Sequence, residues 1–251
     1  MRWPSLIQFA LVFIILTVSY TKADIPDEQY WGHKGTYLIF GKPDTKFQAS
    51  FKYLFIKKHL AYFGYTQLTF WDIFLQSFPL KDINLSPEIF KRINIDRPYI
   101  NKLDIGLYEH LSNGKDGLES KAWDRFYIKG YGEKKFKYFE LGWDYKAYYF
   151  YSVARQTTGI RKHIGHLETT FYISNLFNNF IVDDKFSARI IWGGLYSHRP
   201  NLGAQELNYI FSIRPLRHHV KFRIQYYHGY MESLLYYDRH VSALRIGFGL
   251  D

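Results

Sequence analysis

The chain has no cysteine, which excludes a disulfide-stapled fold, a thiol nucleophile and a thiolate metal site. Beyond the N-terminus no segment holds 18 consecutive apolar residues, so the sequence offers no downstream transmembrane helix. No second domain, internal repeat or long linker is visible. The 33 Lys and Arg outnumber the 23 Asp and Glu but never gather into a run, which argues against a nucleic-acid surface despite a net charge of +10. Aromatic residues, by contrast, are abundant: 23 Tyr, 22 Phe and 6 Trp make up 20% of the 251 residues, too many for a disordered chain. Basic residues lie singly among these rings. That dispersal needs an explanation.

At the N-terminus, Arg2 precedes an apolar stretch from Leu6 to Val18, followed by small residues at Thr21 and Ala23. The stretch is short for a bilayer-spanning helix, and the pattern predicts a secretory signal peptide over 1–23, cleaved after Ala23. Cleavage removes Arg2 and Lys22 and no acid, so +10 becomes +8 for the mature domain, 24–251.

In the mature chain, Asp24–Lys34 is polar and reads as irregular. Segments with a two-residue period follow. Phe47, Ala49, Phe51, Tyr53 and Phe55 oppose Gln48, Ser50 and Lys52; Phe186, Ala188, Ile190 and Trp192 oppose Ser187 and Arg189. The same alternation runs through Glu206–Arg214, His219–His228 and Leu244–Leu250. Successive side chains of a strand point to opposite faces, so these are ribbons with one apolar and one charged face. Further candidates are Gly35–Gly41, Leu60–Trp71, Pro87–Asp96, Lys102–Ser112, Trp123–Gly132, Lys137–Val153 and His166–Leu176, for about twelve strands in all. Long, alternating, aromatic-rich strands behind a signal peptide predict an all-β, antiparallel transmembrane barrel in a bacterial outer membrane. A secreted β-sandwich also alternates, but with shorter strands.

One stretch departs from generic barrel sequence. On a strand, His110 and Ser112 share a face, within reach of a hydroxyl–imidazole hydrogen bond. Asp124 follows after a loop containing Asn113-Gly114 and Asp116-Gly117, which can return the chain as the next strand. Nucleophile, base and orienting carboxylate are the three roles of a serine-hydrolase triad. Spacing alone is not specific, since His240-Val241-Ser242 repeats it.

The motif His110-Leu111-Ser112-Asn113-Gly114 with Ser120-x-x-Trp123-Asp124-Arg125 resembles the active-site signature of the bacterial outer membrane phospholipase A family. Thr36-Tyr37-Leu38-Ile39, Lys46-Phe47-Gln48, Tyr65-Thr66-Gln67 with Trp71, and Gly229-Tyr230-Met231-Glu232-Ser233-Leu234 resemble its other landmarks, in order. The resemblance implies a twelve-stranded barrel that hydrolyses phospholipid acyl esters, with Ser112 as nucleophile, His110 as base and Asp124 as third member. It also implies an oxyanion donor at the Gly114 N–H and calcium as cofactor. The calcium ligands would be the Lys115 carbonyl, the Ser120 hydroxyl and, from a second subunit, Ser77. A reversible homodimer activated by calcium and lipid is part of the same implication.

Two points set this chain apart. The family usually has Asn where Asp124 stands. The family also places its site on the outer wall, whereas Leu103, Ile105, Leu107 and Leu111 alternate with Tyr108, His110 and Ser112, so simple alternation sends the site to the lumen. Either a bulge switches the face or this strand turns apolar residues inward. The competing function is a non-enzymatic barrel, a pore or a structural membrane protein, for which the His-Ser-Asp set is accidental. A lipopolysaccharide deacylase is a further alternative, against which the Asn-Gly context stands.

Overall fold

The computed structural model describes residues 30–250 apart from 98, 178–179, 195–197 and 217–219. The segment read as a signal peptide, 1–23, lies outside the described residues. Among those described, the strands are β1 (Tyr30–Gly32), β2 (Thr36–Lys42), β3 (Thr45–Ile56), β4 (Ala61–Trp71), β5 (Leu80–Arg97), β6 (Ile100–Ser112) and β7 (Ala122–Lys135). They continue as β8 (Glu140–Val153), β9 (Leu167–Ser174), β10 (Ile181–Gly193), β11 (Arg199–Ile213), β12 (Lys221–Gly229) and β13 (Val241–Leu250). From β2 to β13 each strand pairs antiparallel with its sequence neighbour. β13 then returns to β2, with Ile246 opposite Phe40 and Phe248 opposite Leu38, which closes a twelve-stranded barrel. Closure removes the open edges that a sandwich would keep.

Several boundaries differ from the sequence reading, among them the start of β11 at Arg199 and not Glu206. The segment expected to be irregular contains β1, which pairs with Phe51–Tyr53 of β3 beyond the point where β2 leaves that strand. β3 is 12 residues long and β2 only 7, so β1 supplies partners for backbone groups that β2 cannot reach. β5 starts at Leu80, not Pro87; the proline lies inside the strand, opposite Tyr65.

Alternation sorts side chains between wall and lumen. Phe51, Ile128, Tyr149, Phe171, Leu244, Ile246 and Phe248 are exposed on the outside, while Lys46, Glu88, Asp104, Glu109, Arg125, Lys146, Glu168 and Arg245 are buried inside. Isolated buried charges are costly, and here they are paired. Lys34 contacts Glu88 at 2.7 Å, Arg92 contacts Asp104 at 2.7 Å, and Arg189 contacts Glu168 at 2.7 Å. Arg245, wholly buried, bridges Asp44 and Glu232. An apolar cluster runs through the interior from Leu54, Tyr62 and Phe90 to Trp123, Ile160, Ile191, Tyr227 and Leu234. The β12–β13 connection is tied into this interior, since Ser233 Oγ and the Leu235 N–H both donate to Asp82 and the Leu234 N–H donates to Asn84.

Candidate active site

The face of β6 is switched by a bulge. On one side of it Gly106 lies opposite Tyr127; on the other Glu109 lies opposite Arg125, three steps along β6 against two along β7. The β5 pairing shows the same extra residue, Ile89 facing Tyr108 while Phe90 faces Gly106, so Leu107 has no partner. Before the bulge Asp104 and Gly106 point inward; after it the inward residue is Glu109. One unpaired residue reverses the parity of a strand. His110 and Ser112 therefore lie on the outer wall, and the conflict between alternation and the expected location is resolved. Gly106 serves this bend directly, because a Cβ there would overlap the Tyr127 ring, whose hydroxyl donates to Glu88 at 2.6 Å.

β7 brings the acid. His110 lies opposite Asp124, and the imidazole Nδ1 is 2.7 Å from Asp124 Oδ1. An ionised carboxylate only accepts, so Nδ1–H donates and Nε2 is left as the basic nitrogen. Ser112 stands two residues beyond on the same face, opposite Ala122. Among the described residues no hydrogen bond joins its hydroxyl to the imidazole. The His110 and Asp124 side chains are 26% and 22% exposed, open to a reactant but partly shielded by rings. Tyr108 lies parallel to the imidazole at 6.3 Å between centroids. A second irregularity, between Asp124–Ser152 and Arg125–Phe150, leaves Tyr151 unpaired, and its ring stacks on Phe126 at 4.5 Å.

The β6–β7 loop is organised by a residue the sequence reading treated only as part of a motif. Asn113 is buried; its amide nitrogen donates to the Glu119 carbonyl at 2.9 Å, and its oxygen accepts from the N–H groups of Lys121 at 3.0 Å and Lys115 at 3.4 Å. Buried Thr157, from the 3₁₀ segment Arg155–Lys162 after β8, accepts from the Ala122 N–H at 3.2 Å. Gly114 has φ +62, a backbone state that favours glycine. Lys115 and Glu119 pair at 2.8 Å on the loop surface, which holds Glu119 below the usual carboxylate range and Lys115 above the usual ammonium range.

The oxygen groups named for calcium lie at this end of the barrel. The Lys115 carbonyl and the Ser120 hydroxyl belong to the Asn113-tied loop, and no hydrogen bond among the described residues uses either. Ser77 is exposed on the turn between β4 and β5, at the same rim, since β5 neighbours β6 with Leu85 opposite Ser112. Within one subunit the structure does not bring Ser77 into the His110–Asp124 cluster. Among the described residues no group of three His, Asp or Glu side chains could hold a metal.

The sequence rival behaves differently. Ser242 bonds not to His240 but to His228 on β12, at 2.8 Å, and His228 meets the edge of His240 at 4.6 Å. No described hydrogen bond joins a carboxylate to His228, so the orienting third member is missing.

Known proteins can be set beside this geometry. The family model for phospholipase A1 matches residues 5–250. A putative phospholipase A1 of Neisseria meningitidis serogroup B is 26% identical over 219 residues, spanning 82% of this chain and 54% of that protein. Phospholipase A1 of Proteus vulgaris is 25% identical over 83% of this chain and 69% of its own length, and that of Escherichia coli K12 is 25% identical over 74% and 60%. The chain thus spans between about half and two thirds of the length of these relatives. Among solved structures, outer membrane phospholipase A from Escherichia coli superposes with a TM-score of 0.71 at 20% identity, covering 88% of this chain and 94% of that one. A Salmonella typhi outer membrane phospholipase dimer with bound calcium gives a TM-score of 0.71 at 19% identity, with 96% of each chain covered.

Proposed function

The chain belongs to the phospholipase A1 family, and from that premise we propose that it hydrolyses phospholipid acyl esters on the outer wall of an outer-membrane barrel. The observation that carries this reading is the 2.7 Å bond between His110 and Asp124, on the outward side of the β6 bulge and beside Ser112. A lumenal site would face charged groups; this one faces the side lined by exposed aromatic and aliphatic residues, where acyl chains would lie.

In this mechanism the Ser112 hydroxyl attacks the ester carbonyl carbon while His110 Nε2 takes its proton. Asp124 keeps the imidazole oriented and stabilises the imidazolium. The tetrahedral oxyanion receives the Gly114 N–H, presented by the left-handed turn after Asn113. Collapse breaks the bond to the glycerol oxygen, which takes the proton from His110 and leaves as lysophospholipid. Water, deprotonated by the same imidazole, then releases the fatty acid from Ser112.

Calcium fits the loop's donor set, because a backbone carbonyl and hydroxyls are hard oxygen ligands. Lys115 and Ser120 would hold it with Ser77 of a second copy, and when bound it supplies positive charge near the developing oxyanion. A site shared in this way couples calcium to a homodimer by linkage. It also gives a lipase in its own membrane a resting state, the monomer. The interior ion pairs and apolar cluster disfavour the pore reading.

The test is hydrolysis of mixed phospholipid–detergent micelles by the purified protein. Calcium-dependent release of fatty acid is expected, falling at least about 10³-fold in Ser112→Ala at unchanged folding, with calcium chelation removing both activity and the cross-linked dimer. Equal hydrolysis by Ser112→Ala and the parent would overturn the reading.

A further inference from the structure

Glu109 and Arg125 have no part in the reaction just described, yet each is the chain neighbour of a group that does, and both point into the lumen. The cross-strand pairs Glu109–Arg125 and His110–Asp124 are consecutive rungs of the β6–β7 ladder. Arg125 Nε donates to Glu109 Oε2 at 2.6 Å, and Lys146 Nζ donates to both Glu109 oxygens at 2.8 Å. The remaining guanidinium nitrogens reach Glu168 at 3.3 Å. Trp123 and Tyr148 flank the guanidinium carbon at 4.4 and 3.9 Å from their ring centroids. Glu109 and Arg125 are 2% and 4% exposed.

We propose that the Glu109–Arg125 ion pair is the register clamp of the active site, a positioning pair that holds Asp124 opposite His110 from the far side of the barrel wall. The proposal rests on the reading of His110 and Asp124 as partners in ester hydrolysis. A bulge leaves the register beyond it free to shift by one residue, and such a shift turns every following side chain to the opposite face. Something must therefore fix the parity of β6 after Leu107. The outer bond between His110 and Asp124 is partly solvated and correspondingly weak as a constraint. The inner pair is almost wholly buried, and moving Glu109 out of it would strand Arg125 and Lys146 without that carboxylate. The guanidinium plane, packed between two rings, is also fixed by two carboxylates, Glu109 through Nε and Glu168 through the terminal nitrogens, a narrower geometry than a lone ammonium contact. The register is set inside and read outside.

A control lies on the same strand. Asp104 pairs with Arg92 at 2.7 Å in the same lumen, but on the other side of the bulge, where its register has no bearing on His110. The experiment compares Glu109→Gln, Glu109→Asp and Asp104→Asn with the parent, each alone and with Asp124→Ala. It measures kcat and KM on micellar phospholipid with calcium, together with amide hydrogen exchange. Glu109→Gln is expected to lower kcat about tenfold or more with KM within about twofold, while Asp104→Asn keeps both. Exchange should rise over 109–112 and 122–125 only. In the Asp124→Ala background the Glu109→Gln substitution should cost no more than about twofold, since two residues acting through one contact are not additive. If Glu109→Gln does not fold, Glu109→Asp, which keeps the charge and shortens its reach, should show the same pattern in reduced form. An equal cost with and without Asp124, or unchanged exchange over 109–112, overturns the clamp. If the parent hydrolyses no ester at all, the catalytic reading fails instead, and the exchange result alone decides whether Glu109 sets the register.

Discussion

At the scale of single residues, the proposed chemistry turns on what Asp124 adds to an imidazole on the same strand face as a serine. Its carboxylate accepts the His110 Nδ1–H at 2.7 Å and so fixes both the tautomer and the ring plane. An amide oxygen can accept the same bond without the charge. Asp124→Asn is therefore expected to keep kcat within about tenfold of the parent, whereas Asp124→Ala should lose about 10²-fold or more, the scale of a positioned acid–base group. Equal rates for Asp124→Ala and the parent on phospholipid ester would remove Asp124 from the site. The sequence put His110 and Ser112 on one face by their two-residue offset and Asp124 beside them by a returning hairpin; the structure joins His110 to Asp124 and keeps Ser112 on the same face without a bond to the imidazole. Glu109 was overlooked and Arg125 was named only as a motif letter, although each adjoins a proposed site residue, because charges inside a barrel strand read as ordinary lumenal alternation.

At the scale of elements, a bulge and a tied loop turn that residue set into a site. Nothing in Gly106-Leu107-Tyr108 announces the bulge; its signal is only the conflict between the apolar pattern of Leu103, Ile105 and Leu107 and the place where the histidine was expected. Parity is a property of pairing, and pairing to β5 and β7 cannot be read from β6 alone. Thr157 was equally invisible, since it meets Ala122 from 35 residues away. Asn113 was visible as a motif letter, but its work is structural: three bonds to loop backbone from a buried amide. Asn113→Ala would remove the side-chain bonds that tie partly buried loop backbone, a cost of about 1–3 kcal/mol borne by the loop. Such a variant should fold as a barrel and need at least about tenfold more calcium for half-maximal hydrolysis, the equivalent of about 1.4 kcal/mol of loop disorder. An unchanged calcium titration would show that the loop does not carry the ion.

For the molecule as a whole, the charge that never clusters is the interior of a closed barrel. Bases and acids taken singly along the strands meet inside the barrel between neighbouring elements, as Arg245 does with Asp44 and Glu232, and Arg189 with Glu168. The barrel class and its strand count were readable from period and length, and the strand ends were not, as β1 and the early start of β5 show. Two His–Ser contacts or juxtapositions lie on the outer wall of this barrel, one with an acid behind the imidazole and one without. The central claim is that only the first is a nucleophilic site, and it is tested most directly by reacting the folded, calcium-loaded protein with a lipid-like fluorophosphonate. Peptide mass spectrometry then locates the adduct. The account predicts a single adduct on Ser112 that is lost when His110 is replaced by Ala. An adduct on Ser242 beside His228, or labelling of Ser112 that persists without His110, would contradict it.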